Sequence, residues 1–107
     1  MSINVNIKQS PVLPSTQVIK ETESILEISV FDGADPVDVS GMTTDLKWTK
    51  PFGTVLEIKT EIEDRKVLAY VSKEATDELD QATCKLTLKK GKTESKAYFF
   101  VYVEDIR

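Results

Sequence analysis

An all-β sandwich is the fold class this sequence predicts, on three observations. Apolar residues recur at every second position, turn residues interrupt them at strand-length intervals, and no 10–15-residue helical pattern alternates with the strands. The reading gives about seven or eight antiparallel strands and one short helical turn near residues 72–80. At 107 residues, the whole chain (1–107) is expected to form one domain around one core.

Ile3, Val5 and Ile7 alternate with Asn4 and Asn6, which makes residues 3–7 the first strand. Pro11 and Pro14 then remove two amide donors, so residues 9–16 read as a crossing loop or an edge distortion. In residues 25–31, Leu26, Ile28 and Val30 share a face opposite Glu27 and Ser29. Asp32-Gly33-Ala34-Asp35-Pro36 closes that strand with turn chemistry, and residues 37–39 lead to Ser40-Gly41.

Residues 43–49 place Leu46 and Trp48 against Asp45, Lys47 and Thr49. Lys50-Pro51-Phe52-Gly53 forms a tight turn into residues 54–62, where Leu56, Ile58, Thr60 and Ile62 oppose Glu57, Lys59 and Glu61. Glu63-Asp64-Arg65 turns into residues 66–72, with Val67, Ala69 and Val71 opposite Leu68 and Tyr70. Period two then lapses, and Ser72 reads as the N-cap of the short helical turn. It returns at Ala82, Cys84, Leu86 and Leu88, opposite Thr83, Lys85 and Thr87. A hairpin turn at Lys90-Gly91-Lys92 leads to the last strand, with Ala97, Phe99, Val101 and Val103 on one face.

Composition narrows the function. The net charge of −4 opposes the dense negative charge of a nucleic acid, so no nucleic-acid partner is expected. No apolar stretch approaches the roughly 20 residues that cross a bilayer, and the N-terminus lacks a signal peptide's pattern. The product is expected to stay soluble where it is made, with no membrane partner. One cysteine permits no intramolecular disulfide.

The sequence offers little for catalysis. It contains no histidine, the usual acid–base side chain near neutral pH and the commonest metal ligand. Multi-cysteine zinc sites fail for lack of ligands, and the four glycines lie singly at predicted turns rather than in a phosphate loop. Asp32, Asp35 and Asp38 form the best carboxylate cluster, but without the order of a calcium loop; local turn bonding accounts for them. Glu61, Glu63 and Asp64 read as a solvated hairpin end, and Cys84 as a small core residue. No catalytic, cofactor-binding or metal residue is assigned, and the chain is not expected to be an enzyme.

Trp48 reads as a core filler, as on the middle strand of immunoglobulin sandwiches. The last strand is apolar on both faces, yet the outermost strand of a sandwich needs only one. Tyr98, Phe100 and Tyr102 therefore either lie under the N-terminal segment or face a protein partner, and they are the assigned interface residues.

The run Pro36-Val37-Asp38-Val39-Ser40-Gly41-Met42-Thr43, followed by Leu46-Lys47-Trp48-Thr49-Lys50-Pro51-Phe52-Gly53-Thr54-Val55, resembles the N-terminal domain of phage baseplate upper proteins. Members of that family resemble G-x-P-V-D-L-T-G-A-T-V, then a strand, then K-P-D-G-T-V. The later order, a polar turn and then a hairpin ending in an aromatic strand, extends the resemblance over roughly residues 20–105. Phe52 departs from the family's Asp or Asn, and the usual Gly-Thr-Tyr after the polar turn is missing. Family members continue into a linker and a distal receptor-binding or carrier region. This sequence ends at Arg107, as an excised module or a short adaptor would.

The resemblance implies an immunoglobulin-like sandwich in a virion tail baseplate, made in the bacterial cytoplasm. It would dock on tail or baseplate proteins, or on copies of itself, and help hold host-recognition proteins. The alternative is a carbohydrate-binding or adhesin-like sandwich using Trp48, Tyr70 or Tyr102. An enzyme would need a carboxylate pair such as Asp35 and Asp38.

Overall fold

Alternation decides which side chains of each strand meet the core, and the strands assemble into two facing layers. The computed structural model describes residues 3–10, 17–19 and 22–104. Its strands are β1 (Ile3–Ser10), β2 (Gln17–Ile19), β3 (Ser24–Asp32), β4 (Asp35–Pro36), β5 (Thr43–Thr49), β6 (Val55–Glu63), β7 (Lys66–Val71), β8 (Asp80–Lys90) and β9 (Thr93–Glu104).

The first layer runs β1-β3-β7 and the far half of β6, with β4 attached to β3. The second runs from the near half of β6 through β5, β8 and β9 to β2. β6 therefore belongs to both layers: residues 55–58 pair with β5 and residues 59–63 with β7. This order, with β1 antiparallel on β3 and β2 parallel on β9, is that of an immunoglobulin-like β-sandwich.

Leu26, Ile28 and Val30 of β3 and Val67, Ala69 and Val71 of β7 supply one wall of the core. Leu46 and Trp48 of β5, Ala82, Cys84 and Leu86 of β8, and Phe99, Val101 and Val103 of β9 supply the other. Each large side chain removed from water contributes about 1.5–3 kcal/mol before the entropy of ordering it is deducted. The inward sets are those that period two picks out of the sequence. Trp48 is fully buried, and its indole Nε1 donates to the carbonyl of Ala75 at 3.1 Å.

Two expectations need correction, the helical turn and the extent of the crossing at 9–16. The segment from Ser72 is two overlapping i→i+3 turns rather than a helix: Ala75 N–H bonds Ser72 O at 3.2 Å and Thr76 N–H bonds Lys73 O at 3.1 Å. Ser72 Oγ does accept from Ala75 N–H, at 3.3 Å, as a cap would. The chain stops turning because Thr76 is drawn inward, its hydroxyl donating to Thr22 O or Lys73 O at 3.2 Å and accepting from Thr22 N–H.

The expected antiparallel sandwich is present; β2 and β4, too short to show a period, bring the strands to nine among the described residues, and the short β2–β9 pair is parallel. Asp35–Pro36, within the expected turn, pairs with β3, and Val39 in the connecting segment turns into the core. Of the predicted crossing at 9–16, Gln9 and Ser10 belong to β1, and residues 11–16 lie outside the described residues.

The β6–β7 hairpin closes through Asp64 (φ 50°) and Arg65 (φ 62°), both in the left-handed region that a two-residue turn between twisted strands requires.

Candidate protein interface

The outer face of the second layer follows from its register. One row across the sheet reads Val55, Thr49, Thr83, Phe100 and carries no charge. The adjoining row reads Glu57, Lys47, Lys85, Tyr98, and on the opposite side Gln81 stands beside Tyr102. Tyr98 is 65% exposed, Phe100 54% and Tyr102 44%; Val55, at the other end of the neutral row, is 57% exposed. All three assigned residues thus stand together in water on one side of β9, while Ala97, Phe99, Val101 and Val103 fill the core from the other.

Charges frame this band. Lys47 is ion-paired with Glu57 and lies 3.7 Å from Asp45. The Glu57 carboxylate, and then Asp45, hold the Lys47 ammonium above the ordinary lysine value, and Lys47 in turn holds Glu57 below the ordinary carboxylate value. At the hairpin end, Glu94 pairs with Lys96 at 3.4 Å and Lys89 at 3.9 Å. Lys85, beside Tyr98, makes no ion pair among the described residues.

The turn at the end of the face is fastened from below. Lys50 is buried, and its ammonium meets Asp77 at 2.5 Å and Glu78 at 2.8 Å, which together raise its pKa. Gly53 (φ 98°) bonds Lys50 O at 2.8 Å, and Phe52 projects between them, 86% exposed. The sequence gives no cue that Lys50 is buried, because its two partners come from the polar segment 27 and 28 residues later.

The outer face of the first layer differs. Lys66 pairs with Glu27 at 3.4 Å, Lys59 with Glu61 at 3.6 Å, and the Tyr70 hydroxyl donates to Glu61 at 3.0 Å. Lys59 also lies 5.7 Å from the centre of the Tyr70 ring. Of the seven large apolar residues exposed among the described residues, Ile25 alone belongs to this layer.

Residues weighed for other chemistry fall elsewhere. Trp48 presents no ring face to a sugar, since it is fully buried. Asp32 and Asp35 sit opposite each other where β3 meets β4. Asp38 accepts from Ser40 N–H at 3.0 Å, which lowers its pKa, and lies 4.0 Å from Arg65. Among the described residues no group of three His, Cys, Asp or Glu side chains is placed to hold a metal ion. Burial pushes the Cys84 thiol up to about 12, so it carries no thiolate at neutral pH.

No protein-family model and no curated protein matches the chain. Among solved structures, it is similar to a DUF4785-family protein from Legionella pneumophila, with a TM-score of 0.54 and 12% identity over 94% of this chain. The match takes in 27% of that protein, so this chain spans about a quarter of its length. The filamin domain of Lin-41 aligns at 15% identity over 87% of this chain and 90% of its own, with a TM-score of 0.48. The first likeness concerns the fold alone.

Proposed function

We propose that this chain is a non-catalytic assembly module of a phage tail baseplate. It docks on tail or baseplate proteins, or on copies of itself, through the outer face of its second layer and helps hold host-recognition proteins. The observation that carries the docking role is the exposed Tyr98-Phe100-Tyr102 stripe, continued across the sheet by the charge-free row to Val55. Leaving such side chains in water forgoes their burial, and aromatics with polar tips are enriched where proteins meet. The baseplate setting rests on the resemblance of residues 36–55 to baseplate upper proteins. In this reading the protein is made in the bacterial cytoplasm and resides in the virion.

Immobilised protein incubated with purified tail and baseplate proteins tests the reading. The wild type retains at least one of them and Phe100→Glu does not. A wild type that retains none overturns the baseplate role, and retention indifferent to Phe100→Glu overturns the assigned surface.

A further inference from the structure

The exposed stripe of β9 is a palindrome about its centre: Tyr98, Phe100, Tyr102. We infer that this face is an isologous interface, on which a second copy of the chain docks with Phe100 on the two-fold axis. The inference deepens the docking role proposed above and rests on that reading.

A two-fold relation requires that whatever one copy presents at a position fits the partner position on the other. Consider an axis lying between two facing sheets and running across the strands through the Phe100 row. It sets Phe100 on its mate and Tyr98 of one copy on Tyr102 of the other. Of the neighbouring rows, the one containing Lys85 then faces the uncharged Gln81 rather than another Lys85. The row on the axis, Val55, Thr49, Thr83 and Phe100, contains no charge to be duplicated. An axis running along the strands over β8 would instead stack Lys85 on Lys85. The charge pattern selects between the two.

Pairing of the β9 edges is also closed. An edge-to-edge dimer centred on Phe100 would need residues 98–102 of both strands, but β2 already pairs with β9 from Tyr102 to Glu104. The faces remain available, at the roughly 10 Å spacing of packed sheets. The three aromatics and Val55 expose on the order of 400 Å² of side chain per copy. That is about half of the roughly 800 Å² per partner of a standard interface, and the threonines and lysine stems of the same rows supply further area.

Sedimentation equilibrium on the full chain, from about 1 μM to about 1 mM, tests the inference. The expected mass rises from 12.0 kDa toward twice that value. Phe100→Glu places two carboxylates together on the axis and weakens association by about thirtyfold or more. Register is read from two double variants. Tyr98→Lys with Tyr102→Glu brings opposite charges together and associates, whereas Tyr98→Lys with Tyr102→Lys brings like charges together and does not. All three positions are exposed, so circular dichroism and thermal midpoints should match wild type.

A wild type of single-chain mass over the whole range overturns the inference, as does a dimer indifferent to Phe100→Glu. Equal behaviour of the two double variants does so as well. A monomeric wild type whose Phe100→Glu variant loses a tail protein refutes the dimer and leaves the docking role standing. A wild-type dimer that retains no tail protein does the reverse.

Discussion

β9 has two apolar sides, and they do opposite things. Phe99 and Phe100 are neighbours in sequence and identical in chemistry, yet Phe99 is packed in the core beside Val101 while Phe100 stands half in water. The difference is imposed by the pleat, which sends successive side chains to opposite faces. Hydrophobicity by itself therefore does not say whether a residue stabilises the fold. On the inner side the partners are already present in the chain; on the outer side they are not.

Four measurements can break or sharpen that contrast. Phe99→Ala should cost the most, about 3–5 kcal/mol, because it opens a cavity against Cys84 and the facing sheet. Chemical denaturation reads that loss as a lower midpoint with an unchanged slope. A loss below about 1 kcal/mol would mean that the inner side of β9 is not the packed one.

A smaller effect comes from the charge set beneath the outer face. Asp77 and then Glu78 hold the Lys50 ammonium above the ordinary lysine value of 10.5, so the folded chain binds that proton more tightly than the unfolded one. The contribution is complete below about pH 10.5 and is lost as pH climbs through the raised value. The wild-type melting temperature should fall across that range by more than that of Lys50→Met. Tyr70, raised by Glu61, titrates in the same range in both proteins and cancels in the comparison. Parallel melting curves would show that the ion pairs with Lys50 contribute nothing.

Ser24 tests the inner side from the polar direction. It faces inward, and its hydroxyl makes no hydrogen bond among the described residues. Ser24→Ala should raise stability by about 1 kcal/mol, and destabilisation would show that the hydroxyl has a partner. Phe100→Ala should change stability least, within about 0.5 kcal/mol, while removing partner binding. A melting point lowered as far as that of Phe99→Ala would place both sides of β9 in the core.

The sandwich was legible in the sequence wherever a strand is long enough to repeat. Five or more residues of alternation separate Leu26, Ile28 and Val30 from Glu27 and Ser29 without ambiguity. β2 was invisible because three residues are too few to show a period, although Val18 is buried. The turns at 72–76 look helical in the sequence because Ser72 does cap them; what keeps them from continuing into a helix is Thr76 bonding to Thr22, more than 50 residues away.

The aromatic half of the proposed interface was legible because β9 is apolar on both sides. Its neutral half was not. Val55, Thr49, Thr83 and Phe100 come from four strands, and only their register lines them up.

β6 crosses from one layer to the other. Its backbone joins β1 to β2 through one unbroken chain of hydrogen-bonded neighbours. Neither layer can peel away whole without breaking backbone hydrogen bonds of β6, so denaturation should be a single concerted event with no surviving half. Amides near residues 58–59, where the crossing lies, should then exchange with solvent only when the whole molecule opens.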